Sequence, residues 1–217
     1  MNKVLILFSH PRFEDSRANS MLVRHIPQSE FVTFHDLYEN FPDFNIDVNL
    51  EKILLSQHDI IIWHHPFYWY SSPPLLKQWI DLVLEFGWAY GPHGDILHGK
   101  IVFNAITSGG KREVYHREGR NRFTVREFLA PFEQTAVLCG MEYLPPFVVQ
   151  GTHRLTEDEL QAAGESYGRL IEELVNGNFT TDEMKSFEFL NDWLAETQNI
   201  SRAKSGRSAS ANPKSKI

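Results

Sequence analysis

The sequence predicts an α/β protein with a five-stranded parallel sheet and helices on both faces of that sheet. Two observations carry this prediction. Short apolar segments alternate with amphipathic segments in a βαβαβα order, which is typical of parallel sheets with right-handed crossovers. The segment from Ile60 to Trp63 is apolar without alternation, as expected of a central strand that is covered on both faces.

The elements follow from local signals along the chain. The five predicted strands span residues 3–9, 31–35, 60–63, 101–106 and 143–150. Capping residues or prolines mark the predicted helix starts at Ser16, Asp47, Ser72 with Pro73, and Thr156, and a further helix is predicted from about Thr124 to Leu138. Gly87 is the expected end of the third helix, and Pro131 is expected to kink the fourth. Pro145 and Pro146 place the last strand at an edge or a bulge.

The length of 217 residues favours one domain, predicted over residues 1–176, with an extension. Thr180 and Glu183 predict the start of an additional helix within residues 177–200. Residues 201–217 contain five basic side chains and no acidic one, and this tail is predicted to be disordered. Weak attraction of the tail to an anionic membrane is the less favoured alternative, because its charges are spread thinly.

Charge and composition exclude several classes of protein. The net charge is −7 despite the basic tail, and an acidic body argues against nucleic-acid binding. No apolar stretch approaches 18 residues and the N-terminus lacks a signal-peptide pattern, so we expect a cytoplasmic protein, with peripheral contact at the inner face of the cell membrane as the alternative. Cys139 is the single cysteine and is expected to be a buried, inert thiol.

Three strand-to-helix loops are expected to form one ligand site, because the carboxyl ends of parallel strands meet at one edge of a sheet. In the first loop, Ser16, Arg17, Ala18 and Asn19 offer a hydroxyl group, a positive charge and free backbone N–H groups, which suit a phosphate. A plain helix cap is the alternative for Ser16 and is favoured when that residue is taken alone. Since neither a P-loop nor a G-x-G-x-x-G motif is present, the sequence points to a mononucleotide such as FMN.

The second loop contains four consecutive aromatic residues, Phe67, Tyr68, Trp69 and Tyr70. They suit a flat aromatic ligand, and an aromatic dimer interface or a loop folded onto the core is equally consistent with them. The third loop, Thr107-Ser108-Gly109-Gly110, has glycines that let backbone amides approach a ligand closely, and Tyr115 lies further along it.

A metal site is not expected at the paired histidines His64 and His65, with His93 and His98 downstream. Neighbouring residues on a strand point to opposite faces, and no cysteine or histidine lies at a spacing that would complete a zinc site. A phosphoacceptor response regulator is excluded too, because it needs an aspartate where this chain has the histidine pair.

Together these loops resemble the flavodoxin-like NAD(P)H:quinone oxidoreductases, and within them the ancillary oxidoreductases of bacterial glutathione-regulated potassium-efflux systems. The resemblance covers about residues 3–175. It is carried by the segments HPRFEDSRAN, DLYENFPDFNID, HPFYWYSSPPLLKQWID, GWAYGPHGDILHGK, TSGG and GMEYLPPF.

The resemblance implies bound FMN, with FAD as the alternative. It assigns His10 and the run from Ser16 to Asn19 to the phosphate and ribityl chain, and Thr107, Ser108, Gly109 and Gly110 to backbone hydrogen bonds with the ring. It places Pro66, Phe67, Tyr68, Trp69 and Tyr70 beside the isoalloxazine, and it makes Tyr115 the catalytic residue. Where a related subgroup carries a histidine six residues after that tyrosine, this chain has Asn121, and the segment from Phe179 onward also departs from the ancillary proteins.

The expected activity is two-electron reduction of a quinone or similar electrophile by NADH or NADPH, in a ping-pong mechanism within a homodimer. The alternative is a regulatory subunit that docks on a membrane potassium-efflux antiporter. A one-electron flavodoxin is disfavoured, because the aromatic loop and the glycine-rich segment with Gly91, Gly94 and Gly99 suit a second ring.

Overall fold

The computed structural model describes residues 1–209, with side chains described through residue 199. Its strands are β1 (Val4–Phe8), β2 (Val32–Asp36), β3 (Ile60–Pro66), β4 (Ile101–Ser108), β5 (Glu142–Tyr143) and β6 (Phe147–Gln150). They form one parallel sheet in the order β2-β1-β3-β4-β5, and β6 also pairs with β4. The predicted fold class is therefore confirmed.

The fifth position of the sheet is divided between two short strands. Ile101 of β4 is level with Glu142 of β5, and Ala105 of β4 is level with Phe147 of β6. Pro145 and Pro146 lie between the two strands and have no N–H group for the ladder, so pairing stops and restarts there. The sequence prediction of a bulged or edge strand at these prolines is confirmed.

Helices cover both faces of the sheet. They are α1 (Arg17–Arg24), α2 (Leu37–Asn40), α3 (Val48–Gln57), α4 (Pro74–Val83), α5 (Val125–Phe128), α6 (Ala130–Leu138), α7 (Glu157–Asn176), α8 (Thr181–Lys185) and α9 (Leu190–Ala209). Ile60 and Ile62 of β3 pack on the side of α1 and α7, whereas Ile61 and Trp63 pack on the side of α3, α4 and α6. No helix in residues 1–209 is both long enough and apolar enough to cross a lipid bilayer.

Most helices begin where a capping side chain is present. Ser16, Asp47, Thr124 and Thr156 each accept a hydrogen bond from a backbone N–H in the first turn of the helix that follows. The predicted kink at Pro131 is also present, because the helix divides at Leu129 into α5 and α6.

The predicted ends of α4 were wrong. The helix begins at Pro74 after Pro73, and no side chain caps it. The hydroxyl of Ser72 is buried without a hydrogen-bond partner, since the extended Pro73 stands between it and the first turn. The helix ends at Val83, and Gly87 instead has a φ of 80° in the next turn, where its N–H donates to the carbonyl of Tyr90 at 2.8 Å.

The C-terminal extension is two helices and not the single one predicted for residues 177–200. Helices α8 and α9 are separated at residues 186–189, and Met184, Leu190 and Trp193 are buried in the core on the α7 side of the sheet. The side-chain amide of Asn191 pairs with both backbone groups of Val148, at 2.8 and 3.2 Å, as a neighbouring strand would. The extension therefore covers the sheet next to β6.

The basic tail was predicted to be disordered from residue 201. In the structure α9 continues to Ala209, and residues 210–217 lie outside the described residues. Several residues at the end of α9 are alanine, arginine or lysine, which have high intrinsic helix propensity, and a preformed helix can be extended at little cost.

Candidate functional site

A cleft of about 750 Å³ opens at the carboxyl edge of the sheet, where β1, β3, β4 and β6 end. Eleven of its lining residues were predicted from the sequence: His10, Ser16, Arg17, Ala18, Asn19, Pro66, Phe67, Tyr68, Trp69, Thr107 and Gly109. The lining residues that the sequence reasoning missed are Arg12, Asp15, Thr152 and His153. The parallel topology thus brings the three expected loops to one place.

One end of the cleft is rich in hydrogen-bond donors. Ser16 caps α1, as its alternative interpretation predicts, and it also lines the cleft. Helix geometry leaves the first backbone N–H groups of α1, those of Arg17 and Ala18, without intrahelical partners. The positive end of the helix dipole adds to their attraction for an anion. Arg17 itself reaches Glu157 at 3.2 Å, so its charge is shared with α7.

His10 borders the same end. Its ring is buried and its Nδ1 accepts a hydrogen bond from the backbone N–H of Arg12 at 3.1 Å. Burial lowers the pKa of His10, and the nearby carboxylate of Glu14 opposes that shift only partly. The neutral ring therefore carries its proton on Nε2, which makes it a hydrogen-bond donor.

The aromatic loop forms the other end. Phe67 is buried, while Tyr68 and Tyr70 are about half-exposed and Trp69 is 94% exposed at the rim. Trp69 and Tyr70 have φ values of 49° and 66°, a left-handed backbone that bulky residues rarely adopt. This turn directs the Trp69 ring outward, and Tyr70 stacks on Phe128 instead of lining the cleft.

The third loop packs two side chains against its glycines. A Cβ atom on Gly109 would lie 2.7 Å from the His153 ring, and one on Gly110 would lie 2.8 Å from the Tyr115 ring. Ser108 donates its hydroxyl hydrogen to the carbonyl of Gly110 at 3.0 Å, which stabilises the turn. Ser108, Gly110, Tyr115 and Tyr70 do not line the cleft, although all four lie close to residues that do.

Tyr115 lies behind the third loop. Its ring makes edge contacts with Phe67 and Phe128 at 5.9 and 6.3 Å, and burial raises its pKa although a hydrogen bond with Ser108 opposes the shift. Asn121, which occupies the position of the related subgroup's histidine, accepts a long hydrogen bond from the Tyr70 hydroxyl at 3.4 Å.

The loop of residues 111–122 is fastened to the C-terminal extension. The guanidinium of Arg112 forms ion pairs with Glu188 and Asp192 and lies 4.5 Å from the centre of the Phe189 ring. Hydrogen bonding with Asp192 raises the pKa of Arg112, and this effect is larger than the lowering caused by burial. The extension therefore holds the loop that carries Tyr115.

The paired histidines lie on opposite faces of β3, where each makes its own hydrogen bonds. No group of three His, Cys, Asp or Glu side chains able to hold a metal ion occurs in the described part of the chain. Cys139 is buried and free, and burial raises its pKa to about 11, which keeps the thiol protonated and unreactive.

Comparison with known proteins identifies the family and the relatives of this chain. The family described as having a flavodoxin-like fold matches residues 2–171. The glutathione-regulated potassium-efflux system ancillary protein KefG of Pectobacterium carotovorum is 43% identical over 169 residues, which cover 78% of this chain and 92% of that protein.

Two solved structures are also similar. General stress protein 14 of Treponema denticola, in complex with FMN, is 35% identical with a TM-score of 0.73, over 81% of this chain and 98% of its own. An NADPH-quinone reductase of P. pentosaceus is 32% identical with a TM-score of 0.71, over 77% of this chain and 96% of its own. Helices α8 and α9 follow the region that the family matches. The chain therefore belongs to the flavodoxin-like family, with relatives named KefG and general stress protein 14 and with NADPH-quinone reductases among its structural neighbours.

Proposed function

We propose that this protein is an FMN-dependent NAD(P)H:quinone oxidoreductase. The observation that carries the proposal is the division of the cleft into a donor-rich end and an aromatic end. A flavin mononucleotide has the same division, with a phosphate at one end and a flat ring at the other. The FMN-bound relative and the quinone reductase neighbour support this assignment.

At the donor-rich end, the hydroxyls of Ser16 and Thr107 and the first N–H groups of α1 would hold the phosphate, with Arg17 near it. The neutral His10 would donate from Nε2 to an oxygen of the ribityl chain or phosphate. FAD offers the same phosphate and ring to these residues, so the released cofactor must be identified by mass spectrometry.

At the aromatic end, Pro66, Phe67 and Tyr68 would flank the ring, and the backbone of the loop from Thr107 to Gly110 would donate to its polar edge. A flavin held by these residues would supply the two-electron chemistry for hydride transfer from NADH or NADPH to a quinone or similar electrophile, in two half-reactions. Tyr115, whose pKa is raised by burial, would support the loop beside the ring from behind Gly110.

The rim of the cleft supports a homodimer with the site at its interface. Tyr68 and Trp69 line the cleft and are exposed, and the half-exposed Tyr70 and Phe123 both pack against Phe128 next to this loop. Exposed aromatic clusters of this kind are typical of surfaces that another chain covers.

The second candidate function is a regulatory subunit of a glutathione-regulated potassium-efflux antiporter. The relative named KefG supports it, and the two roles are compatible. In either role we place the protein in the cytoplasm, where reduced nicotinamide nucleotides are found, with contact at the inner membrane face as the regulatory alternative. Co-purification with such an antiporter from solubilised membranes would support the second role.

Steady-state kinetics test the enzymatic proposal. NADH or NADPH oxidation should depend on added quinone, and double-reciprocal plots at several quinone concentrations should be parallel, as a ping-pong sequence requires. Flavin-loaded protein that oxidises neither nucleotide with any quinone, while it copurifies with the antiporter, would favour the regulatory role alone.

A further inference from the structure

His64 lies at the centre of a buried chain of hydrogen bonds behind the donor-rich end of the cleft. On one side the hydroxyl of Tyr167, in α7, is 3.1 Å from His64 Nδ1. On the other side His64 Nε2 is 3.1 Å from the side-chain oxygen of Asn19, in α1. All three side chains are buried, so the chain connects α7, the central strand and α1 without exposure to solvent.

The chain continues from Asn19 to two hydroxyls that line the cleft. The side-chain nitrogen of Asn19 lies 2.8 Å from Ser16 Oγ and 3.0 Å from Thr107 Oγ1. Ser16 Oγ also accepts from the backbone N–H of Asn19 at 3.3 Å. The first and third loops of the site and strand β3 therefore meet at one amide group.

The direction of these hydrogen bonds is set at the buried end. Across the described residues, His64 is the partner of the Tyr167 hydroxyl, so the hydroxyl hydrogen must be donated to Nδ1 or remain buried and unsatisfied. Burial lowers the pKa of His64 to about 3, which keeps the ring neutral. A neutral ring that accepts at Nδ1 carries its hydrogen on Nε2 and donates it to the Asn19 oxygen.

We propose that Tyr167, His64 and Asn19 form a relay that fixes Ser16 and Thr107 as donors toward a phosphate in the cleft. Because Asn19 must present its oxygen to His64, its NH₂ group donates to both hydroxyl oxygens. Each hydroxyl then keeps its own hydrogen for another acceptor, and both residues line the cleft. His64 and Tyr167 are positioning residues that act through Asn19, and the proposal rests on the proposed binding of FMN.

The reverse direction has the opposite consequence. If Tyr167 accepted from Nδ1, the Asn19 amide would turn over and its oxygen would take up the hydroxyl hydrogens of Ser16 and Thr107. Both hydroxyls would then face the cleft as acceptors and would repel a phosphate. The relay thus predicts selectivity for a phosphorylated ligand over its dephosphorylated form.

Paired titrations with FMN and riboflavin test the relay, because the two ligands differ only in the phosphate. In His64→Leu we expect the Kd for FMN to rise about 10-fold or more and the Kd for riboflavin to change less than about 2-fold. Tyr167→Phe should give the same pattern with a smaller effect, about 3-fold. An equal rise for both ligands would overturn the relay and leave these residues with a packing role alone.

The chain offers a matched control on the opposite face of the sheet. Tyr143 donates to Asn104, which in turn donates to His65 Nε2, and His65 Nδ1 donates to the carbonyl of Pro66. This second series of hydrogen bonds is also buried but does not reach the hydroxyls of the phosphate end. Tyr143→Phe should therefore leave the ratio of the two Kd values unchanged.

The tautomer of His64 gives a readout that needs no flavin. In protein labelled with ¹⁵N-histidine, the His64 signals, assigned by their loss in His64→Leu, should show a neutral ring protonated on Nε2. A ring protonated on Nδ1 would overturn the relay whether or not flavin binds. Wild-type protein that binds neither ligand but has the Nε2 tautomer would refute the proposed function and leave the hydrogen-bond direction intact.

Discussion

The two buried histidines of β3 should make the folded protein unusually sensitive to mild acid. Burial lowers the pKa of His64 to about 3 and that of His65 to about 4, from 6.5 in the unfolded chain. At pH values between the folded and the unfolded pKa of each histidine, the unfolded chain binds more protons than the folded one. The free energy of unfolding therefore decreases as the pH falls through this range. The histidines impose no such penalty above about pH 7, and the penalty grows steadily below 6.5.

The magnitude follows from the two pKa values. At about pH 5 an unfolded histidine gains about 2 kcal/mol from protonation, while the folded ring remains almost entirely neutral. Together the pair should remove about 4 kcal/mol of stability between about pH 7.5 and about pH 5. That is a large part of the roughly 5–15 kcal/mol that a domain of this kind has.

Urea unfolding followed by circular dichroism at several pH values measures this loss. In His65→Gln the loss between the two pH values should be about 2 kcal/mol smaller than in the wild type, whatever the variant's stability at neutral pH. His116→Gln, at an exposed position, is the control and should match the wild type. Equal pH dependence in wild type and His65→Gln would refute the reasoning.

Two substitutions at the cleft and one in the loop of residues 111–122 give further predictions. Trp69→Ala removes a ring that is 94% exposed, so stability should change by no more than about 0.5 kcal/mol while FMN or substrate binding weakens; unchanged flavin retention and kinetics would contradict the assignment of this loop. Gly109→Ala should push the His153 ring aside and lower flavin affinity in equilibrium dialysis, whereas an unaltered Kd would show that the ring has room to move. Arg112→Ala should cost about 1 kcal/mol in urea unfolding, because exposed ion pairs and one cation–π contact contribute little more, and it should speed hydrogen exchange in residues 111–122. Exchange equal to that of the wild type would argue against fastening by the paired guanidinium.

The sheet was predictable because its signals are local and repeated. The apolar segment from Ile60 to Trp63 must be covered by helices on both faces to be buried. Asp47 and Thr156 mark helix starts that the packed structure retains. The interrupted fifth strand was equally readable, since Pro145 and Pro146 have no N–H groups to pair.

Two boundaries of the helices were not predicted, one for a local reason and one because of a tertiary contact. Ser72 is a residue type that often caps helices, but Pro73 takes the N-cap position and α4 begins at Pro74. The Ser72 hydroxyl therefore makes no hydrogen bond to the first turn. The division between α8 and α9 arises where the backbone of Leu190 donates to the carbonyl of Pro146 at 3.0 Å, a contact between segments distant in sequence.

In the site, most cleft residues could be placed from the sequence because strand ends converge in a parallel sheet. Thr152 and His153 were missed, although they also follow a strand end. The glycine at position 151 was the available sequence signal for a turn there, and in the structure its φ is 72°. Tyr115 was predicted in the site, but Gly110 lies against its ring and the tyrosine does not line the cleft.

The absorption spectrum of the purified protein, before and after incubation with FMN and gel filtration, tests the account most directly. We predict flavin bands at about one FMN per chain that bleach when NADH or NADPH is added without oxygen, and that return when a quinone follows. Folded protein that stays colourless after incubation with FMN and with FAD would contradict the account.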